Sequence, residues 1–241
     1  MKPAPEFAIA FDVPTLEAAL ALDTKMGAGP ELAKIGLELF AAAGPESVKA
    51  LQSRGRRVFL DLKLHDIPNT VQGAAASVAR LGADLLTVHA TGGAAMVAAA
   101  VEGIRAAGGR TRVVAVTLLT SLDPAAMPPG FAKPFDLHAV AAALIDQVER
   151  AGVLGVVCSA ADLDGVRARL GRDFYAVTPG IRPAGADAQD QMRVATIESA
   201  VRDGANLLVL GRAITGAADP AAALAAARQE RDRALMTRAS R

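Results

Sequence analysis

The chain is 241 residues long and 52% apolar, enough to bury a large core as one barrel or as two smaller domains. Its net charge is +1, with 3% aromatic residues and no lysine-rich block, so a nucleic acid would find neither a phosphate-tracking surface nor a stacking platform. The single cysteine, Cys158, excludes an internal disulfide and a cysteine-cluster metal site and fits a reducing compartment. Met1-Lys2-Pro3-Ala4-Pro5-Glu6 opens with no apolar signal core behind it, and no later stretch is long and apolar enough for a membrane span, so a soluble cytoplasmic protein is expected.

Short, nearly continuous apolar runs then recur along the chain. They are Phe7–Phe11, Ala33–Gly36, Val58–Leu62, Leu85–His89, Val113–Thr117, Gly155–Cys158, Tyr175–Thr178 and Leu207–Leu210. Runs of this kind, apolar on both faces rather than alternating, are how buried parallel strands look. Between them lie alanine-rich stretches of helical period, among them Thr70–Leu81, Ala94–Ala107, Leu137–Ala151 and Ile197–Asp203. Gly55, Gly82, Gly108, Gly152, Gly171 and Gly204 each follow a helical stretch and precede a strand, where a left-handed residue closes a helix. The repeat of helix, glycine and strand predicts an α/β fold, a single (β/α)8 barrel over residues 1–241, with an open doubly wound sheet as the alternative. No glycine-rich dinucleotide fingerprint or Walker loop follows the first strand to support the open sheet. The runs Leu122–Pro134 and Pro183–Gln191 are long for loops of a compact domain and read as functional lids or disordered segments. Residues 229–241 are arginine-rich and read as a frayed, solvated basic tail or a last helical turn.

In such a barrel the chemistry gathers where strands end, and the strand ends here are polar. Strand one ends at Asp12, strand two carries Lys34, strand three Asp61 and Lys63, strand four His89, strand five Thr117 with Thr120 and Ser121 beyond, and strand six Ser159. Alternation in an extended chain places Asp61 and Lys63 on one face and Leu60, Leu62 and Leu64 on the other. Asp66 lies past the strand end, and Pro68 and Asn69 mark a helix start, with Asn69 able to accept orphan backbone N–H groups. Charges of both signs inside apolar runs are costly unless they pair, so Lys34, Asp61, Lys63 and Asp66 read as one network rather than as a weak surface pair on an edge strand. Gly211-Arg212 before Ala213-Ile214-Thr215 fits a phosphate site, glycine allowing close approach and arginine offering a planar fork, and Arg182 after strand seven fits either the same role or a cover for the rim. His65 and His89 with Asp66 match no metal-ligand spacing and read as hydrogen-bonded structural histidines, and Cys158 reads as inert core.

Phe59-Leu60-Asp61-Leu62-Lys63-Leu64-His65-Asp66-Ile67-Pro68-Asn69-Thr70 resembles the signature of the orotidine 5'-phosphate decarboxylase family throughout. So do Lys34-Ile35-Gly36, Val88-His89-Ala90, Leu119-Thr120-Ser121, Val157-Cys158-Ser159-Ala160, Thr178–Pro183, Asp190-Gln191 and Gly211–Thr215, in the order the strands predict. The resemblance implies decarboxylation of orotidine 5'-monophosphate to uridine 5'-monophosphate with no metal and no organic cofactor. It implies Lys63 as the ammonium that stabilises and then protonates C6, with Asp61, Asp66 and Lys34 completing the charge array. By the same similarity Asp12 and Lys34 would hold ribose hydroxyls, Thr120 and Ser121 the pyrimidine amide edge, and Gln191, Arg212 and the Gly211 amide the phosphate, with Pro179 and Arg182 as further ligand contacts. Asp66, Ile67 and Thr70 would reach the neighbouring subunit's site, which implies a homodimer. A magnesium-dependent decarboxylase or aldolase of sugar phosphates, using Glu38, and a non-catalytic sensor of phosphorylated ligands are the alternatives.

Overall fold

The computed structural model describes residues 4–27, 29, 31–119, 136–171, 173–182 and 195–239. The strands among them are β1 (Glu6–Ala10), β2 (Leu32–Ile35), β3 (Arg57–Leu64), β4 (Leu85–His89), β5 (Arg112–Val116), β6 (Gly155–Val157), β7 (Tyr175–Arg182), β8 (Ala195–Thr196) and β9 (Leu207–Leu210). β1 to β7 pair in sequence, all parallel, and β9 then joins β7 to β1, so that eight strands close on themselves. The two-residue β8 stands outside the ring against Ile181 and Arg182. The ring strands coincide with the eight predicted runs, except that β3 and β7 run further, to Leu64 and Arg182. The architecture is the (β/α)8 barrel, and the open sheet is excluded by the β7–β9 and β9–β1 pairings.

The helices are α1 (Leu16–Met26), α2 (Leu37–Ser53), α3 (Pro68–Leu81), α4 (Gly93–Ala106), α5 (Leu137–Glu149), α6 (Leu163–Leu170), α7 (Ile197–Asp203), α8 (Arg212–Thr215) and α9 (Pro220–Ala239). Their ends follow from short-range chemistry. Thr15, Asp136 and Thr196 each accept main-chain N–H groups at the start of α1, α5 and α7. All six glycines expected to close a helix have positive φ. α3 departs from expectation, because Asn69 does not cap it. Pro68 is its first residue and holds Ile67 extended in the cap position, which leaves Asn69 one residue inside the helix.

Each ring strand sends alternate residues to two cores. Ala8, Leu32, Phe59, Leu85, Val114, Val177, Leu207 and Val209 point inward and plug the barrel. Phe7, Ile9, Ile35, Leu60, Leu86 and Val88 point outward under the helices, meeting Leu39, Leu51, Val71, Ala75 and Val97. Full burial of one such side chain contributes about 1.5–3 kcal/mol, which is why both faces of every strand are apolar. α3 lies close on α4 because Gly103 has no side chain: a Cβ there would stand 2.2 Å from the Gln72 carbonyl oxygen.

The described part of the arginine-rich tail, residues 229–239, is helical. It continues α9, where Arg231 stacks over the Phe7 ring at 5.2 Å from its centroid. One turn earlier Arg228 grips the buried Glu31 carboxylate through two bonds of 2.6 and 2.7 Å. Burying one face of the helix and pairing its cations holds the segment in place, which charge composition alone does not reveal.

Candidate active site

Two residues beyond several members of the plug, the same inward face turns from large apolar side chains to the groups of the site. Lys34 follows Leu32, Asp61 follows Phe59, Thr87 follows Leu85, Pro179 follows Val177 and Gly211 follows Val209, while Asp12 continues the line of Ala8 and Ala10. Because the strands are parallel, these residues meet at one mouth of the barrel, where all but the wholly buried Thr87 line a cavity of about 570 Å³. Asp12, Lys34, Asp61 and Lys63 line one side. Pro179, Arg182, Gly211 and Arg212 line the other, with β7 four strands from β3 in either direction around the ring.

The charged side is a connected array. Lys34 Nζ stands 3.1 Å from Asp12 Oδ1 and 3.5 Å from Asp61 Oδ2, and Lys63 Nζ stands 2.8 Å from the same Asp61 oxygen. Gly36 makes room for the first of these pairs, since a Cβ there would lie 2.7 Å from Asp12 Oδ1. Burial raises the Asp61 pKa, but Lys34, Lys63 and the hydrogen bonds from Lys63 and Thr87 outweigh it and hold the carboxyl below the ordinary carboxylate range. The site therefore keeps a buried carboxylate ionised between two ammonium groups.

Simple alternation does not produce this contact. β3 and β4 are in register at Leu60↔Leu86 and again at Leu64↔Val88, so three residues of β3 face one of β4. Within that bulge Lys63 takes a φ of 50°, the one positive φ outside glycine among the described residues. The bulge, rather than an unbroken pleat, returns Lys63 to Asp61. Thr87 belongs to the site and was not singled out by sequence; the signal was its place two residues on from Leu85 on the inward face.

Asp66 does not join Lys34, Asp61 and Lys63 within the chain. Its Oδ1 accepts the Ile67 N–H at 2.6 Å, and Asp66, Ile67 and Thr70 all lie exposed at the start of α3, with Ile67 at 67%. The expected network thus loses its fourth member in the single chain, because the turn into α3 carries Asp66 outward. Thr117 and Ser159 are buried and already engaged, by the Val157 carbonyl and by Asp162. His65 and His89 stack with centroids 5.4 Å apart, and burial, His65 and Lys63 hold the His89 pKa down against Asp61. Cys158 is buried at the pocket floor, and burial pushes its thiol up to about 12. Glu38 also lines the pocket. Thr120, Ser121 and Gln191 lie outside the described residues, as do the two long runs Leu122–Pro134 and Pro183–Gln191 in full.

A closed parallel barrel whose strand ends gather carboxylates, ammonium groups and arginines around one cavity defines a barrel enzyme that acts on a charged small molecule. The chain belongs to the Orotidine 5'-phosphate decarboxylase / HUMPS family, whose model matches residues 5–227. It is 52% identical over 224 residues to the orotidine 5'-phosphate decarboxylase of Anaeromyxobacter dehalogenans, covering 92% of this chain and 96% of that one. It is 47% identical over 222 residues to the enzyme of the same name from Cutibacterium acnes, covering 92% and 94%. Among solved structures, orotidine 5'-phosphate decarboxylase from Lactobacillus acidophilus superposes with a TM-score of 0.83 at 35% identity, covering 95% of this chain and all of that one. Among the described residues no helix is long and apolar enough to cross a membrane.

Proposed function

We propose that the protein converts orotidine 5'-monophosphate to uridine 5'-monophosphate and carbon dioxide, with Lys63 as the group that stabilises and protonates C6, and without a metal or organic cofactor. Family membership and the relatives' names support the reaction. The observation that carries the assignment to Lys63 is its ammonium, 2.8 Å from the largely buried Asp61 carboxylate, on the wall of the barrel-mouth cavity.

The C6 carboxylate leaves as carbon dioxide, and the bonding electron pair stays on C6, where no neighbouring carbonyl can delocalise it. A fixed cation beside that carbon lowers the barrier, and transfer of the Lys63 proton to C6 completes the product. The resulting neutral amine recovers its proton from solvent. Asp61 holds Lys63 in place and crowds the substrate carboxylate as it enters. One like-charge contact at about 4 Å contributes only about 4 kcal/mol at an effective dielectric of ~20, against the ~20 kcal/mol or more that the largest enzymic accelerations require. Most of the barrier reduction must come from binding the distant ribose and phosphate, which positions the ring.

In this reading Asp12 and Lys34 hold ribose hydroxyls, and Lys34 also steadies Asp61. Thr120 and Ser121 meet the pyrimidine, while Gln191, Arg212 and the Gly211 amide take the phosphate, with Pro179 and Arg182 beside them. The protein works as a homodimer in the cytoplasm. Asp66, Ile67 and Thr70, exposed on one chain, enter the partner's site and supply the second carboxylate. Their joint exposure at one corner, with an isoleucine among them, supports that arrangement.

The test is loss of orotidine absorbance when purified protein meets orotidine 5'-monophosphate, with and without a chelator. Turnover unchanged by the chelator and abolished in Lys63→Ala, with uridine 5'-monophosphate binding retained, is expected. Near-normal activity of Lys63→Ala removes the lysine from its role. Loss of activity on chelation moves the chemistry to a metal held by Glu38 and Asp61.

A further inference from the structure

The β3 bulge poses a hydrogen-bonding problem at the site. Asp61, Leu62 and Lys63 stand against Thr87 alone, so the regular ladder supplies no main-chain acceptor for the Lys63 N–H. The Thr87 side chain supplies one. It is wholly buried, its Oγ1 accepts the Lys63 N–H at 2.8 Å, and its own hydrogen goes to Asp61 Oδ1 at 3.0 Å. A hydroxyl has a single hydrogen to donate, so a threonine that gives it to Asp61 must present a lone pair to Lys63. Both bonds are thereby directed. The same oxygen fixes the backbone of one charged residue and the carboxylate of the other, which are themselves joined by the 2.8 Å ion pair.

We propose that Thr87 is a positioning residue for the decarboxylation: it closes a three-membered clamp with Asp61 and Lys63 that holds the lysine backbone at positive φ and aims the ammonium into the cavity. The proposal rests on the reading of Lys63 as the group acting at C6. Threonine suits the position where valine would not. Valine fills the same volume but would leave the half-buried Lys63 N–H without this partner and free one oxygen of Asp61. The main chain at Lys63 would then turn towards negative φ in search of a partner and carry the ammonium away from its place. Contacts to ribose and phosphate come from other strands and would be left intact, so the loss falls on turnover rather than on substrate capture.

Two pairs of proteins isolate the hydroxyl. Wild type and Thr87→Val match in shape, while Thr87→Ser and Thr87→Ala differ from one another by the oxygen alone. With orotidine 5'-monophosphate, kcat is expected to fall about ten- to hundredfold in Thr87→Val and Thr87→Ala, with KM within about threefold of wild type, because misplacing a reacting group by ~1 Å costs on that order. Thr87→Ser is expected to keep wild-type kcat within about threefold, and circular dichroism with a thermal melt confirms that each variant is folded. Should Thr87→Val fail to fold, the Ser and Ala pair decides. Equal kcat in that pair, full kcat in a folded Thr87→Val, or a change confined to KM overturns the proposal while leaving the decarboxylase reading standing. An inactive wild type overturns both.

Discussion

Replacing Lys63 by glycine should leave a more stable protein than replacing it by alanine, the reverse of the usual order. At most positions glycine is the costlier of the two by about 0.5–1 kcal/mol, since its unfolded chain is freer. Lys63, however, sits at φ 50°. There a residue with a Cβ loses about 1–2 kcal/mol that glycine does not. Both variants forfeit the ammonium and its contact with Asp61, so that loss cancels in the comparison. The difference left is about 1 kcal/mol in favour of glycine, or about 2–4 °C in melting temperature for a chain of this size. Urea denaturation followed by circular dichroism, at one fixed protein concentration so that association does not enter, reads the order directly. An alanine variant as stable as the glycine variant would mean that the bulge relaxes at no cost and that the backbone at Lys63 is not held. Neither variant should turn over substrate.

Mixing inactive Lys63→Ala and Asp66→Ala subunits should restore part of the activity, since the proposed arrangement leaves one of its two shared sites complete in a mixed dimer; no recovery in a dimer confirmed as mixed counts against the contribution of Asp66 to its partner. Lys34→Met removes an ammonium that helps to hold the Asp61 pKa below its unfolded value. A carboxyl lowered in this way contributes stability above its unfolded pKa and loses it as pH falls through the folded value, so the variant, with its Asp61 pKa nearer the unfolded one, should be less stable at neutral pH and lose less stability than wild type on acidification. Urea midpoints across about pH 3 to 6 measure this, and superimposable relative profiles would take Lys34 out of the array. Arg228→Ala strands the buried Glu31 carboxylate. It should cost about 2–3 kcal/mol, below the ~3–5 typical of a fully buried pair because Arg228 keeps some contact with water, and a thermal melt within a degree of wild type would refute it.

The barrel was legible because its constraint is repeated. A strand packed on both faces has to be apolar at every position, and a helix returning to the sheet needs a left-handed stop, so runs such as Leu207–Leu210 and residues such as Gly204 declare themselves. The charges of the site stood out for the complementary reason, since Lys34 and Asp61 interrupt those runs and must pair. What stayed hidden depends on geometry that residue types do not encode. A lysine carries no mark of positive φ, which is ordinarily a glycine signal. Thr87 within Leu85–His89 is an ordinary strand residue until the bulge opposite it is known. Asp66 follows Asp61 and Lys63 closely in sequence, yet the turn before Pro68 sends it outward. Arg231 read as part of a solvated end because its partner, Phe7, lies at the other end of the chain.

The reactive rim of this molecule is one pleat away from side chains that have nowhere to go. Phe59 and Leu32 are immobilised within the plug, and Asp61 and Lys34 are the next rungs outward on the same backbones, so they inherit that stiffness. The electric field over the cavity is consequently set before any molecule arrives, and little energy has to be spent turning dipoles round when charge appears at the reacting atom.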